Sequence, residues 1–237
     1  MNISKISRRN FLKTAGVATG GLLIGVTLPM NALAAKGIMK ESGEELNAFI
    51  QIDDNGDTII YCGRCEMGQG ISTALPSAVA DEMEADWARV TVKQGDGDEK
   101  YGPQATGGSA SIRVMFQPMR EAGATAKVML IAAAAKVWKT SPDNCFAESH
   151  FVINKTNQQK LGYGELASIA ANMSVPDKPT LKKKSDFKYI GKELPRHDQG
   201  EVVVGKRIYG VDTKLPGMKY AAIVHCPVLG GALKSIN

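Results

Sequence analysis

Two stretches of this chain carry residues that could hold a ligand. The first, Cys65-Glu66-Met67-Gly68-Gln69-Gly70-Ile71-Ser72-Thr73, follows a strand-like run. Gly68 and Gly70 let the backbone come close to a ligand and expose N–H groups, and the Gln69 amide can donate and accept at once. The second, Thr106-Gly107-Gly108-Ser109-Ala110-Ser111, repeats the logic with a glycine pair followed by hydroxyls. Both lead into helical patterns, and a helix N-terminus favours a phosphate or another oxyanion. Taken singly, each is most simply an ordinary turn into a helix. Neither matches the phosphate loop of nucleoside triphosphatases or the dinucleotide fingerprint, which disfavours both classes.

Other reactive side chains form no constellation. The four cysteines are Cys62, Cys65, Cys145 and Cys226. Cys62-Gly63-Arg64-Cys65 is one C-x-x-C pair, half of a four-cysteine zinc or iron–sulfur site, without a second pair. Glu66 follows Cys65 where covalent haem attachment needs histidine. A thioredoxin-like pair belongs at a helix N-terminus, whereas Cys62 ends a strand. Structural or incidental thiols are the leading reading, with a redox pair and a metal site as alternatives. His150, His197 and His225 show no paired spacing and read as structural or exposed. Asp81, Glu82 and Glu84 read as a solvated helix face.

The elements around these stretches alternate. Asn47–Ile52 and Thr58–Tyr61 form a hairpin about the turn Asp53-Asp54-Asn55-Gly56-Asp57. Leu75, Val79 and Met83 mark a helix up to about Asp86, and Pro76, tolerable only in a first turn, sets its start near Thr73. Residues 89–94 read as a strand. A long alanine-rich helix spans about 112–139, buried in its second half, with a kink or late start at Pro118. A second hairpin (151–154 with 159–161) precedes a short helix at 164–172. Residues 174–188, with prolines and lysines, read as a linker. Met218–His225 reads as a strand. The mixture implies an α+β or α/β fold.

Hydrophobic residues make up 43% and charged residues 22% of the 237, ordinary for a globular chain. The net charge is +5, but no basic stripe is interleaved with aromatics, so nucleic acid is not an expected partner. Lys182-Lys183-Lys184 reads as a solvated linker run. The N-terminus, residues 1–34, reads as a twin-arginine signal: Ser7-Arg8-Arg9-Asn10-Phe11-Leu12-Lys13, a glycine-interrupted apolar run, then Ala32-Leu33-Ala34. That route implies the periplasm, the Tat export machinery as partner, and often a cofactor inserted before export.

The order EMGQG at 66–70, Thr73, RVTV at 89–92 and TGGSAS at 106–111 before an alanine-rich helix resembles the molybdenum-binding subunit of the xanthine oxidase family of molybdenum hydroxylases. A second stretch, Lys188 to Asp198 with Tyr209-Gly210-Val211-Asp212 and Leu215–Ala222, is similar to the opening of that family's α/β hammerhead domain. The order of the two, with the signal, resembles the large (beta) subunit of the isoquinoline 1-oxidoreductase-like branch and related periplasmic aldehyde dehydrogenases. The resemblance implies an α+β fold: a signal at 1–34, an N-terminal piece of a molybdopterin-binding domain at 45–173, a linker at 174–200 and the start of a hammerhead at 201–237, its remainder absent.

It also implies a molybdenum–molybdopterin cytosine dinucleotide cofactor and hydroxylation of an aldehyde or N-heterocycle with water. Electrons would pass to a small subunit with 2Fe–2S clusters, then to a c-type cytochrome or another periplasmic acceptor. Gly68, Gln69 and Gly70, with Gly108, Ser109, Ala110 and Ser111, would bind the cofactor. The family's base glutamate has no counterpart here, and Glu66 is not that base, so the chain alone is expected to be inactive. Two other readings remain: a non-catalytic periplasmic binding or assembly module, and a thiol-redox protein using Cys62 and Cys65.

Overall fold

The computed structural model describes residues 22–27, 46–53 and 55–235. Most of the segment read as an export signal lies outside them. Its apolar residues Leu22–Thr27 form β1, paired antiparallel with β2 (Leu46–Ile52). A run rich in Leu, Ile and Val pairs readily with a sheet edge that offers unpaired N–H and C=O groups. Among the described residues no helix is long and apolar enough to cross a membrane.

β2 turns back into β3 (Thr58–Cys62), with Ile50 opposite Ile60. The turn is closed by Asp53, whose Oδ1 accepts from Asn55 and Asp57 N–H at 3.0 and 2.9 Å, and by Gly56 at φ 80°. β4 (Val90–Gln94) runs parallel to β3, giving the sheet order β1-β2-β3-β4. A parallel neighbour requires a crossover, and α1 (Ile71–Met83) supplies it. α1 starts two residues before the expected Thr73 and carries Pro76 inside it. Gly70, left-handed at φ 87°, turns the chain into the first turn.

α2 (Ala110–Trp138) is one continuous helix, so Pro118 neither delays nor ends it. Small residues let it lie against α1: a Cβ on Gly123 would stand 2.4 Å from the Val79 carbonyl oxygen. Val128 and Val137, expected inside, are exposed, while the alanines at 122, 124, 126 and 133–135 are buried. The core lies between the first sheet and these helices, around Phe49, Ile50, Ile52, Ile60, Leu75, Met83 and Met129. A second antiparallel sheet, β5 (Cys145–Glu148), β6 (Phe151–Asn154) and β7 (Lys160–Gly162), leads into α3 (Tyr163–Ala170). Helices and sheets together form the expected α+β arrangement.

Two expectations are corrected by burial. Asp81 and Glu82 are fully buried rather than solvated, and the side chain of Lys182 is buried as well. The segment after α3 returns along α1 and charges meet there. Asp81 accepts from Lys182 Nζ at 2.8 Å and from the backbone N–H of Lys188, Tyr189 and Ile190 at 3.0, 2.8 and 2.9 Å. Glu82 pairs with Arg120 at 2.7 Å, and Glu84 with Lys182 and Lys188. Burial pushes the Asp81 carboxyl up, but the bonds from Ile190, Lys182 and Tyr189 outweigh it and hold it below the usual range. Residues 182–190 are thus a docked strap, not a free linker.

Beyond the strap, a short helix α4 (Gln199–Val203) follows. The strand expected at Met218–His225 does not form: among the described residues, 204–235 hold no strand and their side chains are mostly exposed. An extended apolar segment needs a neighbouring strand to pair its backbone, and none lies beside it.

Candidate functional site

The first loop is shaped from within by Glu66. Its Oε1 accepts from the N–H of Gly68 at 2.8 Å and of Gly70 at 2.9 Å. Its Oε2 accepts from the N–H and the hydroxyl of Ser72 at 2.9 and 2.8 Å. Burial raises the affinity of this carboxyl for a proton, and the four bonds more than reverse it, so the group stays ionised below the usual carboxylate range. The carboxylate therefore serves the first turn of α1 as its anion. Glu66 has no lone pair to spare for proton transfer, in keeping with its exclusion as a base.

Gln69 also bonds within its own loop. Its Oε1 accepts from Met67 N–H at 2.6 Å and its Nε2 donates to the Cys65 carbonyl at 3.1 Å. The second loop joins the first at that same carbonyl, where Thr106 Oγ1 donates at 3.0 Å. Arg64, buried between them, donates to the Ala105 carbonyl. The two loops are thus one structural unit, although 41 residues separate Cys65 from Thr106.

Between them lies a groove of about 550 Å³ lined by Met67, Gln69, Gly70 and Ala74 on one side and by Thr106 to Ile112 on the other. Of the residues singled out from sequence, Gln69, Gly70, Gly108, Ser109, Ala110 and Ser111 line it. Gly68 does not line it, and its carbonyl accepts from Arg196. The α2 end of the groove presents a helix N-terminus. No side chain caps α2 and its first turn holds no acidic residue, so its leading N–H groups lack partners within the helix. A Cβ on Gly107 or Gly108 would meet no atom within 4 Å, which leaves the backbone open on the groove side.

The donors on offer are backbone N–H groups and hydroxyls. Among the described residues no group of three or more His, Cys, Asp or Glu could hold a metal ion. The C-x-x-C pair is divided: Cys65 is exposed, while Cys62 is buried and burial pushes its thiol up to about 11. A thiol with so little thiolate at neutral pH is a poor nucleophile, which leaves Cys65 as the accessible thiol of the pair.

Sequence reasoning missed Arg64 and the Arg196-His197-Asp198 triplet behind the loop. Arg196 Nη1 donates to Gly68 O at 2.9 Å, His197 N–H donates to Thr73 Oγ1 at 3.3 Å, and His197 Nε2 lies 3.0 Å from Ser72 Oγ. No periodicity marks the triplet, since its partners in the loop stand more than a hundred positions away.

Known proteins share this arrangement of sequence. Residues 6–211 match the model of the molybdopterin cofactor-binding domain. The chain is 31% identical to the beta subunit of isoquinoline 1-oxidoreductase from Brevundimonas diminuta, over 98% of this chain and 35% of that protein. It is 32% identical to a membrane-bound aldehyde dehydrogenase (pyrroloquinoline-quinone) of Gluconacetobacter polyoxogenes, over 92% and 29%. It is 29% identical to a nicotinate dehydrogenase subunit from Pseudomonas putida, over 94% and 19%. The chain thus spans about a third or less of these relatives' length. Among solved structures, quinoline 2-oxidoreductase from Pseudomonas putida 86 is similar with a TM-score of 0.42 at 16% identity, over 52% of this chain and 15% of that one.

Proposed function

The chain belongs to the molybdopterin cofactor-binding domain family of the xanthine oxidase-type molybdenum enzymes, and from that premise we propose that its groove forms part of the cofactor site of an oxidoreductase. The observation that carries the reading is the bond pair at the Cys65 carbonyl, which sets Gln69 and the uncapped start of α2 on opposite walls of one groove. The residues fit a phosphate-bearing pterin. The N–H groups leading α2 and the hydroxyls of Ser109 and Ser111 suit its oxyanions, and the open backbone at Gly107 and Gly108 admits close approach. The name of the Gluconacetobacter relative specifies a different cofactor; the family match across residues 6–211 favours the pterin.

When bound, the molybdenum cofactor would supply the redox centre for hydroxylating an aldehyde or N-heterocycle with oxygen taken from water. The residues of this chain would bind and orient it: the α2 start would hold the phosphates, and Gly70 and Gln69 would close the opposite wall. We take the cytosine dinucleotide as the cofactor form. A small 2Fe–2S subunit and a further acceptor such as a c-type cytochrome would receive the electrons. Export by the twin-arginine route to the periplasm, and residues 201–237 as the opening of a hammerhead domain, belong to the same proposal. No residue of this chain is assigned as the base, so a polypeptide equivalent to the rest of the relatives' length would complete the site.

The test is to co-express the chain with its natural neighbours and assay the purified protein for molybdenum and for oxidised pterin fluorescence. Stoichiometric pterin supports the proposal. A folded wild-type protein from a pterin-producing host that carries neither sinks it and favours a non-catalytic binding module.

A further inference from the structure

We propose that Arg196, His197 and Asp198 are positioning residues that hold the Gly68–Gly70 turn in the shape it presents to the groove. The turn needs outside support. Gly68 and Gly70 stand at φ 99° and 87°, and glycines lose more conformational freedom on ordering than any other residue. Glu66 gathers the turn's N–H groups, but the carbonyl of Gly68 is held by Arg196, at 2.9 Å. The guanidinium is itself fixed by a fork on Asp198, at 3.0 and 3.1 Å, with Asp198 buried. Its Nη2 also stands 3.6 Å from Glu66 Oε1.

His197 extends the grip to the start of α1. Ser72 must donate its single hydroxyl proton to the ionised Glu66, so its oxygen accepts from His197 Nε2–H. A chain of bonds therefore runs from the ring of His197 through Ser72 to Glu66 and on to the N–H groups of Gly68 and Gly70. His197 N–H on Thr73 Oγ1 anchors the backbone beside it. All of these contacts come from a segment more than 120 residues later, and none of the three residues lines the groove. None of the three residues need touch a ligand, so they are positioning residues and not cofactor contacts. What the turn is positioned for rests on the cofactor reading above.

The experiment uses the full chain, comparing wild type with His197→Leu, which removes the ring donor, and His197→Gln, which restores one. Amide hydrogen exchange at Gly68, Gly70 and Ser72 is read against amides in the middle of α2. Loss of one bond in the chain should speed exchange at the loop by about tenfold, with α2 unchanged, and His197→Gln should recover most of it. Pterin recovered with the protein should fall in step. Exchange that is unchanged in His197→Leu, or that rises equally in α2, overturns the proposal, as does faster loop exchange with undiminished pterin. If His197→Leu does not fold, Thr73→Val, which removes only the acceptor of His197 N–H, gives the same comparison. A wild-type protein without pterin overturns the cofactor reading, while the exchange comparison still decides the positioning role.

Discussion

Ser72 is joined to Glu66 twice, its backbone N–H and its hydroxyl both donating to the same carboxylate oxygen at 2.9 and 2.8 Å. The glutamate of the EMGQG stretch is thereby used up in building the loop. Glu66→Gln would keep the shape but replace one acceptor oxygen with an NH₂ group. That group would face either the two Ser72 donors or the two glycine N–H groups. Two donors lose a charged acceptor, so stability should drop by about 2–3 kcal/mol. The urea midpoint measures it; a midpoint within error of wild type would show that the carboxylate is not the loop's organiser.

Two glycines should behave in opposite ways. Gly123→Ala would put a methyl 2.4 Å from the Val79 carbonyl oxygen, and the helices must part to admit it, at a cost of about 1–3 kcal/mol or more. Gly107→Ala meets nothing within 4 Å and should leave the melting temperature within error. The added methyl projects beside the groove, so pterin content should fall while stability holds. Thermal melts and pterin assay of the two variants give the comparison, and equal melting temperatures would contradict the close packing of α1 on α2.

Much of this was legible in the chain. The hairpin turn at Gly56 and both glycine-rich loops follow local rules, because positive φ and exposed N–H groups are properties of single residues. The pairing of the two loops was visible only through their order along the chain, since the Cys65 carbonyl that joins them leaves no mark in residue types. The strap was misread for a physical reason. Asp81 and Glu82 lie off the apolar stripe of α1, and a helix with one apolar neighbour would expose them. Here a second neighbour arrives from 100 residues downstream, and its lysine and backbone N–H groups make burial of the two carboxylates tolerable. Lys182 looked solvated for the same reason, as charged runs usually are.

That network predicts a strong response at Lys182. Its side chain is nearly buried between Asp81 and Glu84, at 2.8 and 2.7 Å. Lys182→Met would leave Asp81 without its cation in a low-dielectric site and Glu84 with Lys188 alone, and breaking one partner of such a buried pair costs about 3–5 kcal/mol. The strap should loosen first. Limited trypsin digestion at Lys183 and Lys184 should become fast in the variant and stay slow in wild type; equal cleavage rates would show that the strap is held by something else.

A pH dependence follows from His150. Its Nδ1 accepts from Asp86 N–H at 2.7 Å, so in the neutral ring Nε2 carries the proton and donates to Thr58 Oγ1, 3.0 Å away. A second proton on the ring would face a donor. Burial, with the nearby Arg89 charge, lowers the pKa to about 4 from the ordinary 6.5. The unfolded chain therefore binds a proton that the folded chain rejects throughout that window. Stability from this group is complete above about pH 6.5 and declines as the pH falls towards 4, by on the order of 3 kcal/mol at the lower end. His197, also lowered chiefly by burial, adds a change of the same sign. Glu66, Asp81 and Asp198 are held below the usual carboxylate range, and their contributions are lost only at lower pH still. Urea midpoints at pH 7.5, 6.0 and 4.5 should thus fall steadily in wild type. In His150→Gln the protein starts less stable but the slope flattens to the share of His197, and an undiminished slope would place the titration elsewhere.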